Sequence, residues 1–465
     1  MKTDSKKELF ETMPVPRAIA SMAIPTIISQ LINLIYNLVD TFFIGRTGNS
    51  YMVAAVTVAF PIFMMTISFA NLYGVGGGSL VARLSGEKRF EEARKVSAYS
   101  FYGAIVIAAA YSVLIALLME PILNLLGASK ETIGFARQYV WLVVVAGDIP
   151  MILSNTIANL LRNTGYSRQA SIGLSGGGIL NMILDPLFMF VLLPDGWEVF
   201  GAALATLISN VAALCFLASV MAKKTKLTTL SMRLKDAHTT TPPLRKALYA
   251  VGIPSAVLTG LFDLANIVLN ALMSVYGDLQ LAAIGIVMKA ERLPNAVNIG
   301  ICQGVLPIIA YNYAAGNRKR MNSIIRTARL YGLIVSALSI VLYELFTTPI
   351  AHVFLSTSGE NAQNALATIG FAVIFLRIRC TASPVQFINY HTSFCMQAVG
   401  DGKGTLLHAF LRELVFYIPF MLLLNRLFGM YGLVCALIAG EACGAAFALI
   451  LFRSWQKRHT GAAET

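Results

Sequence analysis

Twelve stretches of this chain are apolar for roughly 20 residues or more, the length an α-helix needs to cross the hydrocarbon of a bilayer. They lie near 18–44, 52–82, 96–119, 132–161, 169–194, 199–222, 247–276, 281–315, 330–354, 364–398, 404–424 and 430–452. Little else fits between them. Hydrophobic residues make up 57% of the chain and charged ones 13%, against about 25% charged in a soluble domain. A compact molecule with that surface would not stay in water. The expected fold class is an all-α integral membrane protein with twelve transmembrane helices.

The net charge of +13 resembles a nucleic-acid footprint until the cations are located. Counted over the connections, 27 Lys and Arg fall on the side of the two termini and three, Arg46, Lys130 and Arg426, on the other. Cytoplasmic loops hold the excess of Lys and Arg, so the split implies an even number of spans and both termini in the cytoplasm. The charge is topological, and no nucleic-acid partner is expected. The opening MKTDSKKELFETMP has neither the apolar core nor the small-residue cleavage site of a signal peptide, so the first span is expected to serve as its own membrane signal. Six cysteines sit within apolar runs without CxxC or zinc spacing and read as small hydrophobes.

A basic, Thr-rich connection at 223–246 divides the chain into halves, 1–222 and 247–465, that echo each other. Ile24-Pro25 in span 1 matches Ile253-Pro254 in span 7. Pro150 precedes Asn155 by five residues in span 4, as Pro384 precedes Asn389 in span 10. The glycine-rich end of span 2 (74–78) has its counterpart in span 8 from Gly304 to Gly316. Each half has six spans and starts on the same side, so the halves form two six-helix bundles related by a pseudo-two-fold axis along the membrane normal. Transporters that rock two halves about a central site are built in this way.

Ionisable residues inside spans are costly and are functional candidates by default. Asn33, Asn37 and Asp40 follow one another at spacings of four and three in span 1, and Asn181 precedes Asp185 by four in span 5. These spacings put each set on one helical face. Pro186, next to Asp185, frees a backbone carbonyl one turn back. Two acidic faces with amide neighbours suit a proton or cation site, to which Thr206 and Asn155 add neutral oxygens. The alternative is that each carboxylate is neutral or paired and merely holds helices together. The repeat sets Asp40 opposite Leu269 and Asp185 opposite Ile418, which confines such a site to the first half. Lys289, Glu291 and Arg292 cluster in span 8 and are expected to find partners on other helices; Arg377 or Arg379 is expected to satisfy Glu413. Asp148 is a candidate for a central cavity, while Asp263, Glu344 and Glu441 have no assigned place. GDGKGT at 400–405 lacks the Walker spacing, and no Ser/His/Asp or metal-ligand arrangement is evident, so no enzyme and no cofactor is expected.

Taken in order, IPTIISQLINLIYNLVDTFFIG at 24–45, GVGGGSLVARLSGEKRFEEA at 74–93, GICQGVLPIIAYNYAAGN at 300–317 and MQAVGDGKGTLLHAFLRELVFYIP at 396–419 make the chain resemble the multidrug and toxic compound extrusion (MATE) transporters of bacteria over nearly its whole length. The resemblance implies two six-helix lobes around a V-shaped cavity, and export of organic cations against inward H+ or Na+. It implies an ion site at Asp40, Asn181, Asp185 and Thr206, with Asn155 nearby, where either ion could bind. It also implies a substrate cavity, for which Asn33, Asn37, Asp148, Gln303, Glu291 and Arg377 are the candidates. Members with a carboxy-lobe ion site carry acids on spans 7 and 10; here span 10 has Arg377 and Arg379 instead. The expectation is a multi-pass antiporter of a bacterial inner membrane, in contact with lipid and with small organic cations and without an obligate protein partner. The rival is a flippase for a lipid-linked precursor from the same superfamily, which would need a basic groove.

Overall fold

The computed structural model describes residues 8–224, 229–354 and 362–460, and among them every regular element is helical. The first half comprises α1 (Val15–Arg46), α2 (Ser50–Gly86), α3 (Phe90–Leu125), α4 (Ile133–Val140), α5 (Asp148–Asn163), α6 (Ser167–Leu187) and α7 (Glu198–Lys224). The short α8 (Leu234–His238) lies in the connection. The second half comprises α9 (Pro242–Ser274), α10 (Asp278–Ala314), α11 (Arg318–Phe354), α12 (Ala362–Cys380), α13 (Ser383–Val399), α14 (Gly402–Phe410) and α15 (Ile418–Thr460). Turns of wider π-helix at Trp141–Val145 and Leu411–Tyr417 lie between α4 and α5 and between α14 and α15.

Among the described residues, ten helical stretches are long and apolar enough to cross a membrane, and an eleventh is added when α4 with its π turn and α5, bent by 44°, are taken as one crossing. The protein is multi-pass. Large apolar side chains point outward all along these helices, among them Leu117, Val191 and Ile450. Water would drive such a surface to aggregate; lipid accepts it. Within one long apolar run, Gly402–Lys457, Gly429 stands at φ 60° and ψ −145° and breaks the helix. Only a residue without a Cβ enters that region readily.

Local chemistry sets several helix starts. The Asn49 side chain accepts the Tyr51 N–H at the head of α2, and the Asp401 side chain accepts the Gly404 N–H at the head of α14. GDGKGT is therefore a capping turn. The connection at 223–246, of which 225–228 lie outside the described residues, is more ordered than a plain linker. Tyr102 on α3 donates to the Met232 carbonyl, and Ser231 bonds the Asp236 carboxylate.

Each half packs mainly on itself, α1 against α6 and α2 against α5 in the first, α10 against α11, α12 and α13 in the second. The halves meet where α9 crosses α2 and α10 crosses α1. These crossings are backbone to backbone. A Cβ at Gly252 would come within 2.1 Å of the Leu72 carbonyl oxygen, and one at Gly304 within 2.5 Å of the Ala23 Cα. Both crossings lie toward the starts of α1 and α9 and the ends of α2 and α10. An apolar cluster running from Phe10, Ile19 and Met22 to Ile309, Met321 and Met396 fastens the halves there.

Candidate ion site and central cavity

Where the halves diverge, an open cavity of about 420 Å³ remains between them. Amides from the first half dominate its wall, with Asn33 and Asn37 from α1, Asn155 and Asn159 from α5 and Asn181 from α6. Tyr36, Phe60, Phe63 and Phe262 supply aromatic faces. Gln30 of α1 donates to Gln303 of α10 at 3.0 Å, which joins the halves at the cavity wall.

Behind the first-half wall lies a cluster of oxygen-rich side chains. One turn of helix separates Asn181 from Asp185, and the Asn181 amide donates to Asp185 Oδ1 at 3.0 Å. The same Nδ2 reaches Thr206 Oγ1 of α7 at 3.3 Å, while Thr206 donates its own proton to the Ala202 carbonyl. Asp185 is fully buried and Asn181 nearly so. Asp40 of α1 lies close enough to act electrostatically on Asp185, and Tyr36 and Tyr139 lie within electrostatic reach of both carboxyls. Three buried oxygens here, Asp40 Oδ1, Asn181 Oδ1 and Asp185 Oδ2, have no hydrogen-bond partner among the described residues. No ion pair links either carboxyl to a Lys, Arg or His among those residues. Uncompensated charge in a dry interior is expensive, so the cluster calls for a cation or a proton.

The other candidates are dispersed. Asn33, Asn37 and Gln303 face the cavity. Asn155 faces it too, but its amide is bonded to the Met151 carbonyl of its own helix, and no hydrogen bond ties it to Asp185. Asp148 is turned away from the cavity: it is fully buried and accepts the Thr66 hydroxyl at 2.6 Å between α5 and α2. Glu291 is not a cavity group either, because Arg379 of α12 grips both its oxygens at 2.7 and 2.8 Å. Arg377 does not line the cavity and pairs with Glu344 at 3.4 Å. Glu413, expected to meet Arg377 or Arg379, instead lies 3.5 Å from its neighbour Arg412, which holds Glu441 at 2.5 Å.

Three groups at these sites, Tyr139, Arg162 and Tyr36, escaped the sequence reading, and two that it named without a place in the cavity, Asp263 and Arg292, line the wall. Tyr139 of α4 lies within electrostatic reach of Asp40 and Asp185, and Arg162, counted in sequence as a loop cation, is buried at the cavity wall. Asp263 of α9 and Arg292 of α10 line the same cavity from the second half. Tyr36, one turn before Asp40, was within reach of the spacing argument that found Asn37.

Known proteins bear on this geometry. The MatE family model matches residues 25–193 and again 254–423, beginning at each of the two prolines, Pro25 and Pro254, that marked the internal repeat. The multidrug export protein MepA of Staphylococcus saprophyticus is 30% identical over 452 residues, covering 97% of this chain and 96% of that one. MepA of Staphylococcus aureus strain MRSA252 is 28% identical over the same length. A solved MATE in complex with MaL6 shares the fold with a TM-score of 0.91 at 24% identity, over 99% of each chain. An outward-facing multidrug resistance MATE transporter of the MOP superfamily does so with a TM-score of 0.88 at 23% identity, over 96% of each. With both halves matched and the similarity running nearly end to end, the chain belongs to the MatE family.

Proposed function

We propose that this protein is a secondary antiporter that exports organic cations and other drugs across the cell membrane in exchange for H+ or Na+. The relatives named as multidrug export proteins support export. Coupling rests on one observation: a buried carboxyl, Asp185, and a half-buried one, Asp40, share a cluster with unpartnered oxygens and no basic partner among the described residues. The ion sits with Asp40, Asn181, Asp185 and Thr206.

The topology that serves this function has twelve spans in two six-helix lobes, 1–222 and 247–465, with 223–246 and both termini in the cytoplasm. Gly429 divides the last two crossings: a straight helix of 56 residues would be roughly 84 Å long, twice what a bilayer holds. In this arrangement the halves close at the cytoplasmic face and the cavity opens outward. An ion arriving from outside takes the free oxygens of Asp40, Asn181 and Asp185. Because α1 and α6 carry both that cluster and wall residues of the cavity, the new contacts shift the wall and release the substrate. Coupling demands that ion and substrate bind the two states differently, and a shared pair of helices supplies the difference.

The flippase alternative is not favoured. Arg377 and Arg379, the bases that would have formed its groove, are each held by a carboxylate away from the cavity. The test uses proteoliposomes loaded with a fluorescent organic cation, with a pH gradient and a Na+ gradient imposed separately. One gradient is expected to drive transport in the wild type and to fail in Asp185→Asn. Transport under neither gradient by folded protein, or equal drive in the variant, contradicts the assignment.

A further inference from the structure

The charge of the cavity wall runs against a site designed for cations alone. The charged side chains at the wall are Arg162, Arg292 and Asp263, two guanidiniums against one carboxylate. Arg162 is almost wholly buried, donates from Nη1 to Asn159 Oδ1 at 3.0 Å, and leaves its Nε without a partner among the described residues. Arg292 is exposed to the cavity, and no carboxylate among those residues lies within 4.0 Å of its nitrogens. Lys289, three residues back on the same side of α10, is also exposed and unpaired among them. Two buried arginines of the second half, Arg379 and Arg412, are each gripped by an acid. Arg292 keeps its planar fork free, and such a fork matches a carboxylate with two parallel hydrogen bonds.

Building on the export reading above, we infer that the cavity takes aromatic amphiphiles that carry a carboxylate, and that Arg292 receives that carboxylate. Asp263, on the neighbouring wall, receives a basic group when the molecule has one. The aromatic side chains Tyr36, Phe63 and Phe262 take the ring system. A volume of about 420 Å³ falls within the range of drug-sized sites, roughly 300–1,000 Å³. Arg292 is thereby a specificity-determining residue: it admits anion-bearing molecules to a cavity that otherwise selects on shape and aromatic contact.

The test is equilibrium binding of two probes with one fluorophore, dansylglycine and uncharged dansylglycinamide, to the purified full chain in detergent. Dansylglycine is expected to bind about tenfold more tightly than the amide, the scale of one charge-assisted bidentate contact. Arg292→Gln is expected to erase that preference while changing the amide's affinity less than about twofold. Arg292→Lys, which keeps the charge and loses the fork, should retain part of it. Equal binding of the two probes by the wild type overturns the inference. So does a parallel loss of both in folded Arg292→Gln. An alkyl phosphate of long chain that displaces dansylglycine more strongly than a short one of equal charge points to a lipid headgroup, and overturns it as well. Asp185→Asn should bind both probes as the wild type does. If the wild type shows no ion-driven transport while its preference for dansylglycine stands, the antiport reading falls and this one survives.

Discussion

Asp185→Asn uncouples the protein without emptying its cavity. In the wild type, saturating the ion site is expected to change affinity for a fluorescent cation by about tenfold, within the 1–3 kcal/mol usual for coupled sites. In the variant the change should fall below about twofold, with substrate affinity in the absence of ion nearly unaltered. The reason lies in the cluster. Asp185 offers Oδ1 to the Asn181 amide and leaves Oδ2 free. An asparagine can still accept from Asn181, so α6 keeps its local geometry, but it has neither the charge nor the proton affinity to hold an ion with Asp40. Asp185 itself is not part of the cavity wall. The measurement is a binding titration of wild type and variant at several pH values and at several Na+ concentrations.

The second large effect concerns stability. Arg412 is 2% exposed at its side chain and holds Glu441 at 2.5 Å, with Glu413 at 3.5 Å on its other side. Asn389 donates to Glu441 at 2.6 Å, and its own carbonyl oxygen is 2.9 Å from His408. Arg412→Leu strips the cation from two buried carboxyls. Breaking a buried pair from one side costs about 3–5 kcal/mol, because the remaining charge is stranded. The double variant Arg412→Leu/Glu441→Leu should recover much of that loss. Arg89, in an exposed pair with Glu92 whose side chains are 48% and 35% accessible, is the control. There, Arg89→Leu should cost under about 1 kcal/mol. Thermal unfolding in detergent ranks the four proteins. Equal losses at Arg412 and Arg89 would mean the second-half network is not a dry ion cluster.

Those two sites also mark what a sequence can reveal. The bond from Asn181 to Asp185 joins residues four apart, and helical periodicity alone puts them on one face. Spans, their alternating charge and the proline-marked repeat are equally local, since each depends on a run of neighbours meeting lipid or water. Pairings between helices are another matter. Glu291 and Arg379 lie 88 positions apart, and which of several acids an arginine meets depends on the rotation of each helix about its axis. That rotation is set by packing, including contacts as close as Gly304 on Ala23, and no residue spacing encodes it. Asp148 was misread for the same reason: its helix turns it toward Thr66 rather than toward the cavity. Arg292 belonged to a charge cluster already noted in sequence, yet its separation from Glu291 into a free group needed the fold.

Antiport makes a demand that uniport and leak do not, because movement of either solute must drive the other. Proteoliposomes are loaded with the organic cation at equal pH and equal Na+ on both sides, and the membrane potential is clamped. Efflux of the cation down its own gradient is then followed beside an internal pH or Na+ indicator. The account predicts that protons or Na+ enter as the substrate leaves, and that Asp185→Asn lets substrate out, if at all, without ion entry. Substrate efflux through the wild type with no ion moving inward would contradict it.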